Sequence, residues 1–197
     1  MRVIAGTKRG RTLIAPKGNE TRPTLDRVKE ALFSRIGPYF SGGVGLDLFA
    51  GSGALGIEGI SRGLEKVIFV DTQTSNVIRD NLARLDCAAQ ADVFAMDYRR
   101  ALNRLQRERV KIDVVFLDPP YALWHRESLL DQLSAASILN EQATVVAEMG
   151  RDKETPVSQG YEMLREALYS ETKLCVYRYC ATAGVPLEDV PDSLPER

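Results

Sequence analysis

From residue 44 onward the chain alternates short apolar segments with amphipathic stretches of helical period, and this alternation limits its fold more than any other feature. Strands are expected at 44–49, 66–71, 92–96, 112–117 and 143–149, with helices near 53–63, 74–86, 98–108 and 125–136 between them. Segments such as Val114-Val115-Phe116-Leu117 are apolar at every position. Both of their faces must be covered, which is the condition of a parallel sheet with helices on each side. Right-handed crossovers then give a doubly wound, mainly parallel α/β sheet. After the fifth strand the alternation breaks. Segments 161–168 and 173–180 follow one another across Ser170-Glu171-Thr172, and so short a link requires an antiparallel pair.

Ahead of the sheet, Arg2-Val3-Ile4-Ala5-Gly6 and Arg11-Thr12-Leu13-Ile14-Ala15-Pro16 read as strands joined by Thr7-Lys8-Arg9-Gly10, a connection that suits a β-hairpin. Pro23 can open a helix, whose apolar stripe of Val28, Leu32, Phe33 and Ile36 stops at Gly37-Pro38. Residues 1–40 therefore read as a hairpin-plus-helix extension packed on a catalytic domain of residues 41–180. Residues 181–197 hold three prolines, a net charge of -3 and no periodicity, and are expected to be a disordered tail.

A length of 197 residues fits a single domain with a substantial core. Hydrophobic residues at 44% and charged residues at 27% exclude disorder of the whole chain. No apolar run approaches the roughly 18 residues of a membrane span. The N-terminus has no apolar region of the secretory type, so a cytoplasmic location is expected. The three cysteines, Cys87, Cys175 and Cys180, form no CxxC pattern and read as buried thiols. His125 is the single histidine, and no metal site is expected. The formal net charge of -1 conceals an asymmetry: residues 1–40 carry nine Lys/Arg against three acids, +6, and the remainder carries -7. A basic segment on a near-neutral chain suits contact with a phosphate backbone. A solvated charged surface is the alternative.

Gly51, Gly53 and Gly56 match GxGxxG between a strand and a helix, where the backbone must turn tightly and admit a polar ligand. Asp71 ends the next strand, 20 residues after Gly51, where a carboxylate can accept from ribose hydroxyls. Asp47 precedes the loop. Its charge would repel a pyrophosphate but suits an ammonium or sulfonium, and S-adenosylmethionine (SAM) carries both and no phosphate. Asp97 ends the third strand, where it can take the adenine amine or cap the following helix. Phe49, Ser52, Thr72 and Tyr98 flank these positions and are expected in the same site.

After the fourth strand comes Asp118-Pro119-Pro120-Tyr121. Two prolines make the turn rigid and remove two donors, which leaves carbonyls to accept. A carboxylate, a carbonyl and an aromatic face together suit a base bearing an exocyclic amine, with stacking contributing about 1–3 kcal/mol. Asp118 and the Pro119 carbonyl would bond the amine as it becomes cationic. An ordinary carboxylate is too weak a base to deprotonate the neutral amine, so proton loss follows methyl transfer.

At these residues the chain resembles the SAM-dependent amino-methyltransferases of class I, Rossmann-like fold. More closely it resembles the bacterial 16S ribosomal RNA guanine-N2 methyltransferase family (RsmD-like). The likeness runs from residue 2 to about 180. It covers Arg2-Val3-Ile4-Ala5-Gly6, Arg9-Gly10-Arg11, Arg22-Pro23-Thr24, Asp26-Arg27-Val28-Lys29-Glu30, the Leu46–Gly56 loop, Asp97 and Asp118–Tyr121. The Arg-Pro-Thr helix start with its basic hairpin is its specific part. The resemblance implies methylation of one guanine in 16S rRNA of the small ribosomal subunit or an assembly intermediate, with SAM as donor and S-adenosylhomocysteine (SAH) as product; a monomer is expected. It implies that Asp47, Gly51, Gly53, Asp71 and Asp97 hold SAM and that Asp118, Pro119, Pro120 and Tyr121 take the guanine. Arg22, Thr24 and Arg27 would lie beside the active site, and Lys8, Arg9 and Arg11 would grip RNA phosphates. Asp71 stands where the family more often has Glu, and the stretch Ala122-Leu123-Trp124-His125 does not follow the family pattern.

Trp124 reads as a helix-docking residue and His125 as a helix start rather than as catalytic groups. A DNA adenine-N6 methyltransferase would share the Asp-Pro-Pro-Tyr motif but would need room for target recognition. A nicotinamide dehydrogenase leaves Asp47 and Asp118–Tyr121 without a role. A non-catalytic RNA-binding module explains the basic arm alone.

Overall fold

The computed structural model of the protein describes residues 1–16, 24–120, 123, 128–169 and 171–181, the side chains at 24, 25 and 27 excepted. Its strands are β1 (Val44–Asp47), β2 (Lys66–Val70), β3 (Ala91–Phe94), β4 (Ile112–Leu117), β5 (Leu139–Gly150), β6 (Tyr161–Leu168) and β7 (Thr172–Tyr179). Its helices are α1 (Thr24–Ile36), α2 (Ala54–Ser61), α3 (Ser75–Arg84), α4 (Tyr98–Arg107) and α5 (Leu129–Ala135). One seven-stranded sheet has the order β3-β2-β1-β4-β5-β7-β6. The first five strands pair in parallel, and β7 runs antiparallel to both β5 and β6. The expected doubly wound sheet and C-terminal antiparallel pair are both present. β7 inserts between β5 and β6, an order that the short link alone could not reveal.

Two apolar layers sandwich the sheet, as strands apolar on both faces require. On one face Leu46, Val115 and Leu117 pack with Ala101, Leu105, Leu130 and Leu133 of α4 and α5. On the other, Val67, Phe69 and Phe116 pack with α1, α2 and α3. That second layer also takes Val3 and Leu13 of the N-terminal arm, both buried. In α1 the expected stripe is observed, with Val28, Leu32 and Phe33 buried.

The arm forms the expected hairpin in shortened form: Arg2 bridges Thr12, Val3 N donates to Arg11 O at 2.9 Å, Gly10 N donates to Val3 O at 2.8 Å and Leu13 N donates to Met1 O at 3.1 Å. Beyond Val3 the backbone of the first strand bonds to α2 instead. Ile4 N and Ala5 N donate to the Glu58 carboxylate at 2.8 and 3.0 Å, and Thr7 N donates to Ser61 O at 2.8 Å. Glu58 is fully buried and also meets Lys29 Nζ at 3.2 Å and Arg62 Nε at 2.8 Å. A buried carboxylate surrounded by four donors outcompetes further pairing of a two-stranded ribbon that has no third strand to support it. Strand β5 begins four residues earlier than expected, through an irregularity in its pairing with β4 near Gln142, whose φ is +66°. Cys87 and Cys175 are buried as expected, but Cys180, just beyond β7, is only half-buried. The expected tail from residue 182 on, together with Trp124 and His125, lies outside the described residues.

Candidate active site

The strand order reverses between β1 and β4, and in open α/β sheets the crevice beyond the carboxyl ends of strands at such a point is where ligands bind. A cleft of about 700 Å³ opens there. Its wall runs from Phe49 and Gly51 after β1, through Asp71 and Thr72 after β2 and Asp97 and Tyr98 after β3, to Asp118, Pro119 and Pro120 after β4. Residues separated by up to 71 positions are thus gathered at one mouth because each follows a parallel strand.

The turn after β1 has the conformation its glycines permit. Gly51 has φ +55° and Gly53, which caps the start of α2, has φ +80°. Gly56 serves a different end: a Cβ there would lie 2.4 Å from the Phe69 ring, so its absence lets α2 approach β2. Asp47 braces this turn. Its Oδ2 accepts from Gly56 N at 2.9 Å, the residue is 2% exposed, and it does not line the cleft. Burial, opposed by the Gly56 bond and aided by Asp118 and Asp71, raises its carboxyl to about 7. The direct cationic contact expected for Asp47 is therefore not the geometry seen. Ser52 and Gly53 also stay outside the lining, Ser52 being buried.

Asp71 ties the turn to the next helix. Oδ2 accepts from Gly51 N at 3.0 Å, and Oδ1 accepts from Gln73 N at 2.7 Å and Thr74 N at 2.9 Å. A carboxylate has about four lone-pair sites, so capacity for a hydroxyl remains on the Oδ2 side. Asp97 caps α4 by accepting from Arg99 N at 2.9 Å and lines the cleft as well, so both readings of it coexist in one place. Tyr98 is buried and stacks at an angle on Phe49, with ring centroids 5.2 Å apart.

Asp118 has solvent contact through the cleft while protein closely surrounds it, and this enclosure lifts its carboxyl above the usual carboxylate range. The Pro120 carbonyl accepts from Leu123 N at 2.9 Å and closes the turn. Glu148 was not singled out from the sequence. Leu117 of β4 pairs with Ala147 of β5, so Glu148 follows on the strand beside Asp118. Its carboxyl is also raised, by burial first and the Asp118 charge second, against a hydrogen bond with Thr172. Pro16, Gln73, Met96 and Leu123 also line the wall, and none of them was singled out as a site residue from the sequence. Residues in loops carry no periodic signal that could have marked them.

Among the described residues, the acids of the lining are Asp71, Asp97 and Asp118, against one cation, Arg99. This balance fits a cationic, phosphate-free ligand such as SAM and opposes a pyrophosphate. No cluster of three or more candidate metal ligands occurs among the described residues, and none of their helices is long and apolar enough to cross a membrane.

The basic turn lies at the other end of the molecule. Lys8 Nζ donates to Asp86 O at 3.3 Å and Arg11 donates to Arg84 O, both at the carboxyl end of α3, where cations are favoured. Arg9 lines a second groove with Tyr39 and Ser34. The cleft is at the opposite end of α3, a separation of about 15 Å for ten residues. Arg22 and Tyr121 lie outside the described residues, as do the side chains of Thr24 and Arg27. The backbone of Thr24 begins α1, and Pro16, the last described residue before it, borders the cleft.

The family model described as "Conserved hypothetical protein 95" matches residues 1–178 of the chain. The Bacillus subtilis (strain 168) protein YlbH is 44% identical over 181 residues, 90% of this chain and 98% of its own. The Haemophilus influenzae protein named "Ribosomal RNA small subunit methyltransferase D" is 37% identical over 169 residues, 84% of this chain and 87% of its own. Among solved structures, one from Thermus thermophilus aligns with a TM-score of 0.76 at 27% identity, covering 89% of this chain and 98% of that one. A more distant structure, solved with SAH, aligns with a TM-score of 0.63 at 16% identity over 78% of this chain and 48% of that one, a likeness of fold alone.

Proposed function

The chain belongs to the Conserved hypothetical protein 95 family, that of ribosomal RNA small subunit methyltransferase D, and from that membership we propose that it methylates rRNA of the small ribosomal subunit, using SAM. The finer reading is that the acceptor is the exocyclic N2 amine of one guanine. The observation that carries both is a single cleft in which the glycine turn and Asp71 stand beside Asp118-Pro119-Pro120.

When bound, SAM supplies an electrophilic methyl group on a cationic sulfur. The chain's own residues do the rest. Asp71 retains acceptor capacity for a ribose hydroxyl, and Phe49, Met96 and Leu123 offer apolar walls to an adenine. On the acceptor side Asp118 takes a hydrogen bond from the guanine amine. Since the Pro120 carbonyl is occupied by Leu123, the second acceptor is the Pro119 carbonyl. Both become stronger partners as the amine nitrogen gains positive charge, which lowers the barrier where charge develops. The C–N bond would form as the bond between sulfur and the methyl carbon breaks, leaving SAH, and the cationic methylated amine would then pass its proton to the Asp118 carboxylate or to water.

A substrate that meets both the cleft and the basic turn must extend over about 15 Å. In this reading the arm faces the RNA, with Lys8, Arg9 and Arg11 toward its phosphates. Purified protein given SAM with a labelled methyl group is to be incubated with unmethylated small subunits, naked 16S rRNA and duplex DNA. Label in the ribosomal RNA and none in the DNA is expected. Label in DNA alone would overturn the reading.

A further inference from the structure

Asn81 is a polar residue in the apolar stripe of α3, between Ile78 and Leu82, and is fully buried. Its Oδ1 accepts from Ile14 N at 2.7 Å, and its Nδ2 donates to Ile14 O at 3.0 Å and to Ser52 O at 2.9 Å. One amide therefore pairs with an arm residue as a neighbouring strand would, and holds a carbonyl of the glycine turn as well. Ser52 meets the arm a second time, through Oγ to Met1 Sδ at 3.6 Å. Ile14 is two residues from Pro16, which lines the cleft. A buried amide that loses any of these partners leaves an unsatisfied polar group, so a displacement of Ser52 draws Asn81 and Ile14 with it. Nothing in the chemistry proposed above uses Asn81.

We propose that Asn81 is a positioning residue that couples the two substrates: it joins the turn that receives SAM to the arm that faces RNA, so that a ligand in the cleft tightens binding of the small subunit. The inference rests on the RNA-facing reading of the arm given under Proposed function. Coupling between binding equilibria is reciprocal, so the small subunit must tighten SAH binding by the same factor.

The test is the affinity of the full-length protein for unmethylated small subunits, measured with and without saturating SAH. For the unaltered protein the ratio is expected to be about fivefold or more, the lower end of ordinary coupling. Asn81→Asp keeps the shape but turns an acceptor toward the carbonyls of Ser52 and Ile14. Its ratio is expected to fall toward one, with SAH affinity in the absence of RNA within a few-fold. Ile14→Pro removes the arm's donor to Asn81, at a residue 36% exposed, and is the second variant should thermal melting show Asn81→Asp to be unfolded. It should lower the ratio too. A ratio of one in the unaltered protein, or a full ratio in the folded variants, overturns the coupling. If the unaltered protein methylates subunits with a ratio of one, the coupling fails and the function stands; if it methylates no subunit RNA, both fall.

Discussion

Asp47 ends β1 and Asp118 follows the neighbouring parallel β4, and of the two only Asp118 lines the cleft. Asp118→Asn retains a carbonyl acceptor but loses the charge that answers the cationic amine. A fall in kcat of about 10²–10³-fold is expected, with SAM affinity within a few-fold. A large loss of SAM binding would reassign the residue. The same group sets the acid limb of the pH profile. If only its ionised form acts, the enclosure that raises its pKa should make activity decline with falling pH at values above the ordinary carboxylate near about 4. Single-turnover rates across pH would detect this, and a limb at or below about 4 would contradict it. Asp71, Asp97 and Asp118 were legible in the sequence because each ends an apolar segment in a repeated strand-then-polar pattern. Asn81 and Glu58 were not. A polar residue within an apolar stripe signals burial, but its partners lie 67 and 54 positions away and leave no local trace.

At the scale of elements, periodicity located the five parallel strands and all five helices to within a few residues, α5 starting at Leu129 rather than near 125. The N-terminal hairpin is present but shorter than expected, because turn chemistry predicts where a chain reverses and not what the backbone donors beyond the paired residues will find. Here they found Glu58. That carboxylate holds Ile4 and Ala5 of the arm, Lys29 of α1 and Arg62 after α2. Burial lowers the Lys29 pKa while Glu58 opposes the change, so the lysine depends on its partner to remain charged. Removing one member of a buried ion pair leaves the others uncompensated, and Glu58→Ala is expected to cost about 3–5 kcal/mol of stability. Denaturant unfolding measures it. A loss below about 1 kcal/mol, the range of a surface pair, would show that the cluster does not anchor the arm.

Across the whole molecule, two ends of the sheet carry two kinds of feature. The carboxyl ends of the strands hold the acidic cleft; the carboxyl ends of α2 and α3 hold the basic turn. The arm spans the distance between them, from Lys8 at one end to Pro16 at the other, and is fastened on the way by Glu58, Ser61 and Asn81. The charge asymmetry in the sequence pointed to nucleic acid without revealing that Lys8 and Arg11 also bond the end of α3. The account therefore stands or falls on the chemistry delivered to an RNA base at the cleft. The most direct measurement is nucleoside mass spectrometry of small-subunit RNA after reaction with the protein and SAM. The account predicts N2-methylguanosine, absent from the reaction with Asp118→Asn stopped at equal time. Methyladenosine in its place, or a methylguanosine yield unchanged by that substitution, would contradict it.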